Sequence, residues 1–319
     1  MIAMRTLLSN VRSMNRVSLV LGLIFAAFAP APLRAAETGK TFATPEDAVA
    51  AIASAVRTTN VAELKAIFGP ESDYLLNPDK VQAAKEFAVF AAALAETKHI
   101  VRESDTRCVL DIGTNEWPFP VPIVAQGGRW FFDSAAGREE ILNRRIGANE
   151  IHTLDVMRAA VAAQRDYASR DRDNDEVLEY AQKIVSTPGK KDGLFWSPDI
   201  DGEISPLGPM AADAATEGYG KNARVVGKRQ PFHGYFFKIL TRQGKSAPGG
   251  KYSYIINGNM VGGFAFVAWP AEYDDTGIMT FIVNQQGRVY QQDLGTKTGM
   301  LAERMKVYDP DKSWTVSPN

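Results

Sequence analysis

From residue 44 onward the apolar positions follow first a helical period and later an alternating one. Ala48, Ile52, Ala55 and Val56 recur at helical spacing. Just upstream, Thr44 suits an N-cap, Pro45 the first helical position and Asp47 the first turn. A second short helix is expected over 61–68, stopped by Gly69-Pro70. A third is expected over 79–96, where Phe87, Phe90 and Leu94 on an alanine-rich face would pack on a sheet. Segments 99–102, 107–112 and 128–133 read as strands of that sheet, and Gly127-Gly128 marks a tight turn. Between them Trp117-Pro118-Phe119-Pro120-Val121-Pro122 alternates proline with apolar residues. Proline cannot donate to a central ladder, so this segment is expected at an edge or as an extended cover.

Near residue 150 the pattern changes. A linking helix, 136–170, places Ile151, Leu154, Met157, Val161 and Ala168 on one face. Beyond it helix signals are few and glycines many. Strands are expected over 235–240, 252–256, 260–269, 278–283 and 289–293. Asn257-Gly258 between two apolar runs is a hairpin signal, because both turn residues must accept positive φ. Gln286-Gly287 marks another turn. Helices followed by antiparallel strands predict an α+β fold. The expected organisation is a leader over 1–35, an N-terminal α+β domain over 42–135, the linking helix, and an antiparallel domain with large loops over 171–316.

The first residues carry a compartment signal. Arg5, Arg12 and Arg16 precede an apolar run from Val17 to Ala29, and Leu33-Arg34-Ala35-Ala36 follows. This describes a cleavable secretory signal peptide cut after Ala35 or Ala36. The run is short of the roughly 20 residues of a comfortable span, so a retained anchor is the rival reading. A periplasmic or secreted protein with no membrane span after cleavage is therefore expected. About 280 residues would remain, enough for two ordinary domains or one large one. With 45% hydrophobic residues the chain can build a core, and its formal net charge of −1 argues against general nucleic-acid binding. Cys108 is the single cysteine, so no intramolecular disulfide is available. Its strand-like setting reads as that of a small buried apolar residue.

Candidate chemistry centres on the acidic stretch after the linking helix. Asp171, Asp173 and Asp175 match the first three ligands of a D-x-D-x-D calcium loop, and Glu179 falls at a fourth, often water-mediated position. Calcium is thus the one cofactor the sequence raises. Glu176 stands where such a loop has its turn glycine, and Gln182 where it has its closing glutamate. The alternative is a solvated acidic loop partly neutralised by Arg170 and Arg172. The histidines His99, His152 and His233 form no zinc-protease pair; His233, at a loop-to-strand junction, is the one most open to a role. No nucleophile elbow or phosphate loop is present. Phe195, Trp196, Tyr219, Phe232, Tyr235, Tyr252 and Tyr254 cluster in the loop-rich half, as core or as a recognition surface.

Two resemblances add to this. The segments Trp117-Pro118-Phe119-Pro120, Glu139-Glu140-Ile141-Leu142-Asn143-Arg144-Arg145-Ile146-Gly147, Glu217-Gly218-Tyr219-Gly220 and Val267-Ala268-Trp269-Pro270-Ala271-Glu272-Tyr273 resemble a family of exported bacterial proteins known only as a domain of unknown function. That family supplies no catalytic residue. The order of elements over 163–289, with Gly234-Tyr235-Phe236-Phe237 and Gly277-Ile278-Met279-Thr280-Phe281-Ile282-Val283, is similar to pilin and pseudopilin globular domains. The N-terminal half is similar in element order to the NTF2-like and cystatin-like architecture. The cleavable leader and the intervening domain depart from pilin subunits, whose N-terminal helix is kept for assembly. The expected function is a non-enzymatic, envelope-associated module that binds an unknown envelope protein or ligand through its C-terminal sheet and loops. The alternative is a hydrolase or small-ligand protein using an N-terminal pocket.

Overall fold

A reciprocal cap starts the first helix of the computed structural model, which describes residues 39–172, 175–199, 202–217 and 231–318. Thr44 Oγ1 accepts from Asp47 N at 3.0 Å, and Thr44 N donates to Asp47 Oδ2 at 3.2 Å. Helix α1 (Pro45–Arg57) buries Ala48, Val49, Ile52, Ala55 and Val56. Asn60 caps α2 (Val61–Phe68), which ends at Gly69 with φ of 72° and passes into a 3₁₀ turn. Asp79 caps α3 (Lys80–Glu96) by accepting from Val81 and Gln82. The leader read over 1–35 lies outside the described residues.

These helices pack on an antiparallel sheet of β1 (Lys98–Ser104), β2 (Arg107–Ile112), β3 (Trp117–Pro118), β4 (Ile123–Gln126) and β5 (Arg129–Phe132). The order is β1-β2-β4-β5, with β3 paired to the end of β2. The proline segment lies where its missing donors require. Only Trp117 and Pro118 join the ladder, and Phe119 N donates to Leu110 O. The core beneath joins Ile52, Ile67, Leu94, Cys108, Leu110, Ile112, Ile123 and Phe132. Phe90 stacks on Phe119 with centroids 5.1 Å apart.

Helix α4 (Ser134–Tyr167) runs for 34 residues and serves two cores. Ile141 packs against the N-terminal core, while Met157, Ala160, Val161 and Tyr167 belong to a second core downstream. The face expected from sequence is partly corrected: Met157 and Val161 are buried and Leu154 is half-buried, but Ile151 is 51% exposed. The true inward stripe includes Arg145, Asn149, Thr153 and Gln164. Each of these polar groups is satisfied inside: Gln164, for example, donates to Ala181 O and accepts from Ala181 N. Burial of a paired polar group costs little, so a hydrophobic period cannot mark this face.

The downstream half begins with a short helix that the sequence pattern did not indicate, α5 (Gly208–Glu217). Strands follow in order: β6 (Tyr235–Leu240), β7 (Arg242–Gln243), β8 (Tyr252–Ser253), β9 (Ile255–Ile256), β10 (Asn259–Met260), β11 (Ala265–Pro270), β12 (Met279–Asn284) and β13 (Tyr290–Asp293). The expected 252–256 and 260–269 strands are each interrupted, giving short pieces around the Asn257-Gly258 turn. Helix α6 (Thr298–Arg304), β14 (Val307–Tyr308) and β15 (Thr315–Val316) complete the chain. The main sheet has the antiparallel order β15-β13-β12-β11-β6. Every residue of β11 is buried. Helix α6 packs over β11, and Lys238 Nζ donates to the Ala302 and Glu303 carbonyls at its C-terminal end. The fold is α+β, with N-terminal helices followed by a strand-rich C-terminal part. Among the described residues no helix is long and apolar enough to cross a membrane.

Candidate functional site

The acidic stretch folds as a clasp. Asp171 Oδ2 accepts from Glu176 N at 2.9 Å, and Glu176 takes φ of 68°. The turn is thus left-handed at the position where a calcium loop has glycine, although this side chain must bear the strain. Asp175 accepts from Val177 N and, at 2.7 Å, from Asn259 Nδ2; Glu179 Oε2 accepts from Met260 N at 2.8 Å. These three carboxylates therefore tie the stretch to itself and to the β9–β10 hairpin. Asp173 lies outside the described residues. Among the described residues no three histidine, cysteine or acidic side chains are grouped to hold a metal ion.

Arginine secures the same stretch. The Arg172 side chain is 5% exposed, pairs with Glu203, and lies 5.2 Å from the Trp196 ring centroid and 5.6 Å from that of Tyr167. Lys191 Nζ reaches the other Glu203 oxygen at 2.5 Å. Hydrogen bonding from Lys191, then the nearby Arg172 charge, outweighs desolvation and holds the Glu203 carboxyl below its ordinary range. Trp196, Tyr235 and Tyr254 are buried, so they are core and not recognition surface. Tyr252 is 37% exposed, Phe195 and Phe232 are half-buried, and Tyr219 lies outside the described residues.

A second convergence joins the two halves at His233. This buried residue has φ of 46° and is followed by Gly234 at 74°. A Cβ on Gly234 would lie 2.7 Å from Asn149 Nδ2, so glycine is required for close approach as well as for φ. His233 Nδ1 lies 2.7 Å from Gln82 Nε2, and its ring centroid is 3.7 Å from that of His152. Nearby, α4 grips the entry to β12. Arg145 pairs with Asp275 at 2.6 Å, Asn149 donates to Thr276 O, and Glu150 Oε1 accepts from Ile278 N and Met279 N. Burial, reinforced by Glu150, raises the Tyr235 hydroxyl well above its ordinary range. Burial raises the Glu86 carboxyl too, against the opposing Asn77 hydrogen bond and Arg145 charge. These groups are spent on one another, as in a lock between two cores. Cys108 is fully buried in the N-terminal core, where desolvation raises its thiol, so it stands as the apolar filler the sequence suggests.

Two surface hollows among the described residues offer further candidates. One, about 420 Å³, lies between the proline segment and the first turns of α4. Its arginines are paired with glutamates of the same lining, Arg107 with Glu103 at 2.7 Å and Arg144 with Glu140 at 2.6 Å, and Glu139 lines it too. The other, about 500 Å³, lies at the β15 end of the main sheet and is lined by Arg158, Gln286, Gly287, Arg288, Val289, Val316 and Ser317. Among the described residues no carboxylate side chain lines it. Arg158 pairs with Asp155 at 3.0 Å, with both side chains largely exposed. Arg288 makes no hydrogen bond or ion pair with any described residue. Arg165, two helical turns beyond Arg158, donates to Gln285 O at 3.0 Å and so stands beside the same turn. The sequence reading passed over these arginines, since α4 and the β12–β13 turn meet only through the fold. Their one local signal is the seven-residue spacing of Arg158 and Arg165.

Compared with known proteins, residues 39–316 match a family described as a protein of unknown function, DUF2950. No curated protein and no solved structure matches the chain. The likenesses to pilin, NTF2-like and cystatin-like folds thus rest on element order.

Proposed function

The chain belongs to DUF2950, and because that family carries no assigned chemistry we propose its role from geometry: an exported, non-enzymatic binding module that engages a cell-envelope partner at the edge of its C-terminal sheet. The observation that carries this reading is the arginine-lined hollow beside β15. It combines an open concavity, two guanidinium groups and the exposed Val316 at the end of the main sheet. Concave sites with a few convergent polar groups are the usual form of a binding site. The junction around His233 supports the non-enzymatic half of the proposal, since its polar groups serve to join the cores. Export rests on the basic, apolar and small-residue order of the first 36 residues.

The N-terminal hollow favours the alternative of a small-ligand or hydrolytic site less, because the glutamates that pair its arginines line it too, whereas Asp155 does not line the hollow beside β15. The test is retention of an envelope component by the immobilised mature protein, compared with an Arg158→Glu, Arg288→Glu variant. The proposal expects retention by the first and not by the second. Equal retention by both would move the binding surface elsewhere, and no retention by either would remove the binding role.

A further inference from the structure

We infer that the hollow beside β15 binds an oxyanion, a phosphate or carboxylate group, carried on a ligand whose body rests on Val289 and Val316. The inference rests on the reading of this hollow as the binding site and adds the chemistry of the ligand. Arg158 comes from α4 and Arg288 from the β12–β13 turn, so two arginines from separate elements line one concavity. Guanidinium presents a planar fork of donors that matches carboxylate and phosphate oxygens, and it stays charged at any physiological pH. The neutral side chains of Gln286 and Ser317 complete the polar lining.

Neighbouring charge agrees. The counter-ion paired with Arg158 is Asp155, on the helix surface, with side-chain exposures of 44% and 68%. Such an exposed pair is worth at most about 1 kcal/mol, so a ligand oxyanion can take its place. Arg165 is held beside the turn by its bond to Gln285 O, and a Cβ on Gly287 would lie 4.0 Å from its Nη2. Its positive charge therefore adds to the local potential. The floor is different: Val289 is 7% exposed and Val316 53%. A volume of about 500 Å³ falls within the range of small-ligand sites. Charged head and apolar floor together select a ligand with an anionic end and a less polar body.

The experiment titrates the mature protein with inorganic phosphate and, separately, with acetate, each against chloride at matched ionic strength. Binding is followed by chemical shifts of the Arg288 and Val316 amides. Saturable shifts with phosphate, acetate or both are expected, and the stronger response identifies the class of anion. Arg158→Gln, Arg288→Gln should weaken binding by roughly tenfold or more, the scale of a lost charge-assisted bond. Arg57→Gln, which makes a charge change at the exposed end of α1, should bind as the parent does. No saturable shift with either anion would overturn the inference, as would equal weakening by the two variants. Partner retention lost in the Arg158→Glu, Arg288→Glu variant, but unaffected by either anion, would leave the binding reading standing and remove the oxyanion.

Discussion

Arg145 and Asp275 form an ion pair at 2.6 Å that fastens the middle of α4 to the turn before β12, 130 residues later in the chain. The arginine side chain is 6% exposed and the aspartate 35%. A second guanidinium nitrogen donates to Leu76 O at 2.9 Å, so one residue holds parts of both halves. Removing the acid leaves a buried cation without its ion-pair partner. Asp275→Ala should therefore lower unfolding stability by roughly 2–3 kcal/mol, somewhat below the cost of breaking a fully buried pair. Urea denaturation measures this directly. A change within about 0.5 kcal/mol, typical of an inert surface substitution, would show that the pair does not fasten the halves.

Glu86 gives a pH signature. Its carboxyl is crowded by protein yet keeps an exposed edge, so solvent screening makes the effect small. Burial raises its folded pKa above the unfolded value, and the protonated form is favoured in the fold. Stability from this group is present below the unfolded pKa and is lost as pH rises through the folded one. At neutral pH the charged residue is therefore a small burden. Glu86→Gln, which can keep the bond from Asn77, should melt slightly higher than the parent at pH 7. The two curves should meet in acid, and a lower melting temperature for the variant at pH 7 would reverse the sign.

The acidic clasp depends on Arg172 more than its carboxylates suggest. Arg172→Ala removes a buried ion pair with Glu203 and two aromatic contacts, and should cost roughly 2–3 kcal/mol. The loss should be equal when melting is measured with added calcium and with a chelator. A loss that appears only after chelation would instead give the clasp a metal-dependent role.

What could be read from the sequence was local. Thr44 is the N-cap and Asp47 the first-turn acid that the sequence suggests, and the two bond reciprocally; Asn257-Gly258 adopts the two positive φ values, 52° and 96°, of a tight hairpin turn. The interrupted β8–β11 region was less legible, because apolar residues continue through pieces that pair with different strands. The α4 stripe misled the hydrophobic count, since Arg145, Asn149 and Gln164 find partners up to 130 residues away and can be buried. The hollow was invisible for the same reason. Arg158 and Arg288 are far apart in the chain and meet only after α4 packs on the sheet. The acidic run, by contrast, was conspicuous in sequence, yet Asp171, Asp175 and Glu179 are occupied with protein donors.

The decisive measurement is retention of an envelope component by the immobilised mature protein, with and without the paired Arg158→Glu and Arg288→Glu changes. Both positions are exposed, so the variant should keep the parent melting temperature within about 2 °C. A component held by the parent and released by the charge reversal is the predicted result. A folded variant that retains the same component to the same extent would contradict the assignment of binding to the edge of the C-terminal sheet.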